Sequence, residues 1–234
     1  MKNVLKYNEF YYKTNGEIIS VYKLDKNTYL SYENAMFCPD CNQAELYFVL
    51  HSKTPHLRTK PSATHCNQCP YNYEEANNKI TQKYFDALSE TQMQNKLNAI
   101  MRYLCTDKHT RKAYLTDSTI EQNPMLIPSN TQKTKTYYML RRKSLAVYFS
   151  EEDKNQLYIF YGKAKLKVIN KQNYAFLKIG IGKKPISIYF SKAHIPKDIK
   201  ENATYHIVCI GYLEDSVFNI ELLKPNSIKY QKID

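Results

Sequence analysis

The spacing of apolar and polar positions changes character twice along the chain, and each change predicts a different kind of element. In the first stretch, Phe10-Tyr11-Tyr12 and Ile18–Tyr22 flank Asn15-Gly16, the preferred dipeptide of a type I′ turn, and predict a β-hairpin. Glu45–Leu50 predicts another strand, followed by a loop from Thr54 to Pro61 that two prolines bound. Behind residue 71 the period becomes helical. Ile80, Tyr84, Ala87 and Leu88 form one apolar stripe, and Leu97, Ile100, Met101 and Leu104 form a second. Ser89-Glu90-Thr91-Gln92 lies between them as a capping box, so two helices of about 12–16 residues are expected. Residues 116–136 lose all period and carry Asn123-Pro124 and Ile127-Pro128, which predicts a linker or long loop. The rest is strand-rich, with β-branched and aromatic segments at Leu157–Ile169, Tyr174–Ile181, Ile186–Phe190, Tyr205–Leu213 and Val217–Leu223, and Ser227–Ile233 trailing.

Within these strands the alternation assigns faces. Lys163, Lys165 and Lys167 point one way and Ala164, Leu166 and Val168 the other. Ala175, Leu177 and Ile179 oppose Tyr174, Phe176 and Lys178; Ile186, Ile188 and Phe190 oppose Ser187, Tyr189 and Ser191. With the aliphatic sets inside, a row of lysines and three aromatics face outward. Such a face suits a single nucleic-acid strand, because cations neutralise phosphates and rings stack on bases. Five strands, the first long and broken by Gly162, with a short helix near Ala193–Ile199 before the fourth, resemble OB domains of single-strand-binding type. That resemblance implies a closed barrel and binding, not catalysis.

The candidate chemistry lies at the other end of the chain. Cys38-Pro39-Asp40-Cys41 and Cys66-Asn67-Gln68-Cys69 give the spacing of a tetrahedral zinc site, with 24 residues between them for a hairpin. The residue after a CxxC knuckle often needs φ > 0. Asn42 tolerates that and Pro70 cannot adopt it. Cys38, Cys41 and Cys69 are therefore expected ligands, with His65 preferred to Cys66 as the fourth and His56 as a further candidate. A closed site of this kind organises structure and leaves no position for a reacting water. Cys105 and Cys209 stand alone in apolar runs and read as core residues.

Gly16-Glu17-Ile18-Ile19-Ser20-Val21, the Cys38-Pro39-Asp40-Cys41 pair, Pro55-His56-Leu57-Arg58 and the His65-x-x-x-Cys69-Pro70 ending together resemble the N-terminal zinc module of competence CoiA-like proteins. The resemblance spans roughly residues 15–73, and Arg58 departs from it where that family has a second histidine. It implies a structural zinc. The nuclease domain that such proteins carry has no counterpart here, since residues 71–234 lack an Asp followed by a Glu-x-Lys on a strand.

The expected class is therefore α+β: a zinc-ribbon module over residues 1–73, a helical hairpin over 74–115, a linker or basic loop over 116–144 and a five-stranded OB-like barrel over 145–234. The formal net charge of +12 lies mostly behind the cysteine segment, with lysines outnumbering acids about two to one after residue 157. Arg141-Arg142-Lys143 adds three adjacent cations as a candidate nucleic-acid contact. Abundant Tyr, Asn, Lys and Ile, with no Trp, read as an AT-rich bacterial genome or a mobile element within it. Five glycines allow no phosphate-cradling loop, and neither a serine nucleophile elbow nor a deaminase His-x-Glu is present, so no enzyme class is indicated. No signal peptide or long apolar segment occurs, which predicts a soluble cytoplasmic protein with no membrane partner. The expected partner is single-stranded nucleic acid, DNA rather than RNA, in replication, recombination or defence. The alternatives are an accessory subunit that docks a replication or defence protein through its aromatic face, and a nuclease with an unrecognised site.

Overall fold

A computed structural model describes residues 7–52, 55–106, 119–129, 137–147, 149–180, 185–214 and 218–233. The chain forms two compact units, one from residues 1–75 and 112–139, the other from 76–111 and 140–234. Among the described residues, no helix is long and apolar enough to cross a membrane.

In the first unit β1 (Glu9–Tyr12) pairs antiparallel with β2 (Glu17–Ser20) and with β3 (Met36–Phe37). The expected hairpin forms, but its turn differs from the type I′ expectation. The register Tyr12↔Glu17 leaves four residues in the loop, and only Gly16 takes positive φ, at 74°. The Asn15 carboxamide instead accepts from the Glu17 amide at 3.0 Å, so this asparagine closes the loop with its side chain. A second hairpin joins β4 (Leu46–Val49) to β5 (His56–Thr59). A three-stranded sheet is built from β6 (Glu74–Glu75), β7 (Leu126–Pro128) and β8 (Tyr137–Met139), with β8 central. The expected linker over 116–144 is thus corrected in its described part: a short helical turn at Ile120–Gln122 and three strands occupy it, two paired with each other here and the third, Arg142–Ser144, belonging to the second unit. Its residues 116–118 and 130–136 lie outside the described ones. Phe10, Met36, Leu46, Leu57, Tyr71, Leu126 and Met139 share one core, which is why these short strands hold together.

The second unit starts with α1 (Asn78–Asp86) and α2 (Glu90–Cys105). Asn77 caps α1, whose nine residues fall short of the expected length, and Ser89 with Gln92 forms the expected capping box of α2. After β9 (Arg142–Ser144) come β10 (Leu157–Asn170), β11 (Tyr174–Gly180), β12 (Ile186–Ser191), β13 (Thr204–Leu213), β14 (Asn219–Leu222) and β15 (Ile228–Lys232). Ile181 and Val217, expected as strand ends, lie outside the described residues. β10 pairs with β11, β11 with β12, β12 in parallel with β14, β14 with β13, and β13 back to β10, so five strands close a barrel. The helices and β9 group with this barrel rather than forming separate segments.

Closure depends on β10 serving two partners, with Leu157–Lys165 on β13 and Lys165–Asn170 on β11. The interior holds Phe160, Ala164, Leu166, Leu177, Ile179, Ile188, Ile207 and Cys209, as the alternation requires. α2 packs against β10, β13 and β15, and Leu157, Ile159, Val208 and Ile210 on the outer face there are buried as well. Gly211 is required by close approach: a Cβ there would sit 2.2 Å from the Glu221 carbonyl oxygen on β14.

Candidate functional sites: a Cys3His centre and an aromatic barrel face

Two turns and one hairpin converge at the first site. The Cys38–Cys41 knuckle closes with Asn42 N–H donating to Cys38 O at 3.0 Å, and Asn42 takes φ 53°, the left-handed conformation that asparagine tolerates. The β4–β5 hairpin then returns the chain so that His65 and Cys69 face this knuckle. Cys69 is extended, with φ −67°, before Pro70, so the second pair does not repeat the first turn.

The ligand atoms of Cys38, Cys41, His65 and Cys69 all lie within 4.8 Å of one another. Cys38 Sγ is 3.7 Å from Cys69 Sγ, and His65 Nδ1 is 3.5 Å from Cys41 Sγ and 3.3 Å from Cys69 Sγ. Metal–sulfur bonds near 2.3 Å and a metal–nitrogen bond near 2.0–2.1 Å at tetrahedral angles imply edges of about 3.8 Å and about 3.6 Å. The observed separations match those edges, so the four residues could hold one metal ion, and three thiols with an imidazole suit zinc.

The charge balance points the same way. Burial pushes the Cys38 and Cys69 thiols well above their usual range, while hydrogen bonds from Cys38, Cys66 and Cys69 hold Cys41 far below its own. A divalent cation would offset that burial cost and let all three sulfurs ionise. Cys66 is half-buried, its thiol raised chiefly by its hydrogen bond to Cys41, and it falls outside the mutually close set. His56 also stands apart, with Nε2 accepting from Arg58 Nε at 2.9 Å and Nδ1 3.2 Å from Ser52 Oγ.

Two residues that sequence reasoning missed orient the histidine. Tyr7 Oη lies 3.0 Å and Thr59 Oγ1 3.3 Å from His65 Nε2, and the two hydroxyls are 2.8 Å apart. An Nε2–H donated to these oxygens leaves the Nδ1 lone pair facing the sulfurs, the tautomer a ligand needs. Tyr7 also stacks on Tyr71, with ring centroids 4.7 Å apart. Burial raises its phenol strongly, with the nearby thiolates adding to the effect. No motif marks Tyr7, because its partners are more than 50 residues away.

The second site is the outer face of β10–β12. Lys167 pairs with Lys178, Ile169 with Phe176, and Phe176 in turn with Tyr189, so all of these side chains share the outer face. Tyr174, Phe176 and Tyr189 form one aromatic cluster with centroid separations of 5.4 to 6.0 Å, and Tyr189 is 56 % exposed. Lys163, Lys165 and Lys167 are exposed along β10. Lys178 donates to Ser187 Oγ at 2.5 Å and lies 5.5 Å from the Phe176 ring centroid. Ser187, expected outward and open, is buried beneath it. Next to Lys163, His206 is held below the usual histidine range by partial burial and then by the lysine charge.

The Arg141-Arg142-Lys143 run is not a solvated cationic patch. Arg141 donates to Gln156 at 2.6 Å and to Asn78 at 3.2 Å, and Arg142 is buried against the Tyr161 ring. Lys143 is fully buried, 2.6 Å from the equally buried Asp153 carboxylate. Desolvated cations tied to internal partners have no reach to a polyanion, so Arg142 and Lys143 leave the set of nucleic-acid contacts.

No protein-family model, curated protein or solved structure matches the chain.

Proposed function

We propose that this protein binds single-stranded nucleic acid, DNA in preference to RNA, without catalysing a reaction, and that a structural zinc at Cys38, Cys41, His65 and Cys69 organises its first unit. The observation that carries the reading is the aromatic cluster of half-buried Tyr174 and Phe176 with exposed Tyr189, flanked by lysines, on the outer face of a closed barrel. The ring order of first, second, third, fifth and fourth strand, with the third and fifth parallel and a helical turn at Lys192–His194 before the fourth, supports an OB assignment. In that plan the second and third strands offer the stacking surface.

Fluorescence anisotropy with labelled single- and double-stranded DNA and RNA at two salt concentrations tests it. Single-strand affinity should fall with salt, with a slope of about −0.7 per phosphate neutralised. Replacing Lys163, Lys165 and Lys167 with alanine should reduce that slope. Phe176→Ala or Tyr189→Ala should weaken binding by about 1–3 kcal/mol and leave the slope nearly unchanged. Folded aromatic variants that bind as tightly as the parent would overturn the platform and favour a protein-docking face.

A further inference from the structure

Beside the aromatic cluster, towards the end of β11, the outer face opens into a groove of about 450 Å³ whose lining mixes the charged Lys165, Lys167, Lys178 and Glu201 with the apolar Ile169 and Pro185. The strand registers set its floor: Lys167 stands opposite Lys178, and Lys165 stands opposite Gly180. A Cβ built on Gly180 would first meet the Lys165 carbonyl oxygen at 3.4 Å and the Lys165 Cβ at 3.8 Å, which is ordinary contact. Nothing steric demands glycine there; its effect is to leave the space between the lysines open.

The charged part of this lining is mainly cationic. Lys178 gives one N–H to Ser187 and keeps two, and Lys165 has no ion pair among the described residues. Lys167 reaches the Glu201 carboxylate at 3.3 Å. Three ammonium groups against one carboxylate leave an excess of two positive charges. An internal phosphodiester carries one negative charge, whereas a phosphomonoester carries about −1.5 to −2 near pH 7. A volume of this size accommodates a phosphate with its sugar.

We propose that this groove seats the terminal phosphomonoester of a bound strand, so that the protein recognises a phosphorylated strand end while the adjoining bases stack on Phe176, Tyr189 and Tyr174. This rests on the single-strand reading above. The test uses the full-length protein and one labelled oligonucleotide sequence in three forms: 5′-phosphorylated, 3′-phosphorylated, and hydroxylated at both ends. One phosphorylated form should bind about tenfold tighter or more than the hydroxylated one, the worth of a charge-assisted contact made only there. Equal affinity for all three forms overturns the groove and leaves the stacking face standing. An equal gain at both ends means charge without a seat and also overturns it. Failure to bind any strand refutes the reading beneath it. In Gly180→Val, shown to be folded by circular dichroism and melting, the ratio of phosphorylated to hydroxylated affinity should drop to about one. In Glu201→Gln, which frees Lys167, the ratio should rise. Ratios unchanged in both variants refute the assignment.

Discussion

Removing the His65 imidazole should abolish metal binding, whereas removing the neighbouring Cys66 thiol should not. His65 Nδ1 lies at 3.5 Å and 3.3 Å from two sulfurs, close to the tetrahedral edge of about 3.6 Å, while Cys66 falls outside the group of mutually close donors. His65→Ala leaves three thiols that can no longer close a four-coordinate shell, and structural zinc contributes about 10–16 kcal/mol of apparent folding energy in small modules. Loss of the ion should therefore unfold the first unit. Tyr7→Phe provides a graded version. It removes the hydroxyl 3.0 Å from His65 Nε2, and loss of such a support typically lowers metal affinity 10–100-fold, about 1.4–2.7 kcal/mol. Thr59 Oγ1, 3.3 Å from the same nitrogen, remains as an acceptor, which places the expected loss near the lower end. Competition against a chromophoric chelator measures all three variants, and cobalt substitution reports a three-sulfur, one-nitrogen ligand field. Retention of the ion by His65→Ala together with its loss in Cys66→Ala would refute the assignment. An unchanged affinity in Tyr7→Phe would refute the orienting role of the hydroxyl.

Asp153→Ala should destabilise the second unit by about 3–5 kcal/mol in denaturant titration, because it strands the fully buried Lys143 ammonium and also removes the acceptor of Tyr158 Oη and Ser150 N–H. Gly211→Ala should destabilise the second unit by at least the roughly 1–3 kcal/mol typical of overpacking, seen as a lower melting temperature, since its Cβ meets backbone at 2.2 Å; Gly180→Ala, with 3.4 Å of room, should be nearly neutral. His206, held low in the folded state by burial and Lys163, favours the fold while neutral. Its contribution is present above the unfolded histidine value of about 6.5 and is lost as pH falls through the lower folded value; in His206→Gln this acid-side loss, followed by thermal melts across pH, should shrink.

What the sequence could disclose depended on whether a residue's role was set locally. The faces of Lys163–Val168 were readable because a strand with one buried side has a period of two, and the barrel keeps that side inward over six consecutive residues. His65 could be preferred over Cys66 because Pro70 forbids a backbone turn, again a property of neighbouring residues. By contrast, Arg142 and Lys143 look like any exposed basic run. Their burial is decided by β9 lying parallel against Ile159–Tyr161 and by Asp153, ten residues further along the chain. The strands Leu126–Pro128 and Tyr137–Met139 look like linker in the sequence because three residues show no period at all; their partners hold them in place. Tyr7 was illegible for the same reason, its role arising only where the fold brings it to His65.

One strand shows how fold and proposed binding divide the same surface. Before Gly162, both faces of β10 are apolar: Tyr158 and Phe160 fill the barrel, while Leu157 and Ile159 are buried on the outer side that α2 covers. After Gly162 the inner residues remain apolar, with Ala164 and Leu166, but the outer ones become Lys163, Lys165 and Lys167. A Cβ at Gly162 would lie 3.3 Å from Leu145 Cβ, so the glycine sits where Leu145 packs closely on the strand. The outer face thus changes from an intramolecular contact to a cationic surface within a single strand. Lysines in the first half would be desolvated beneath α2 at a cost of several kcal/mol each, and leucines in the second half would leave an apolar stripe open to water. The switch at Gly162 satisfies both requirements, and it places the cationic row on the half of the barrel that also carries Phe176 and Tyr189.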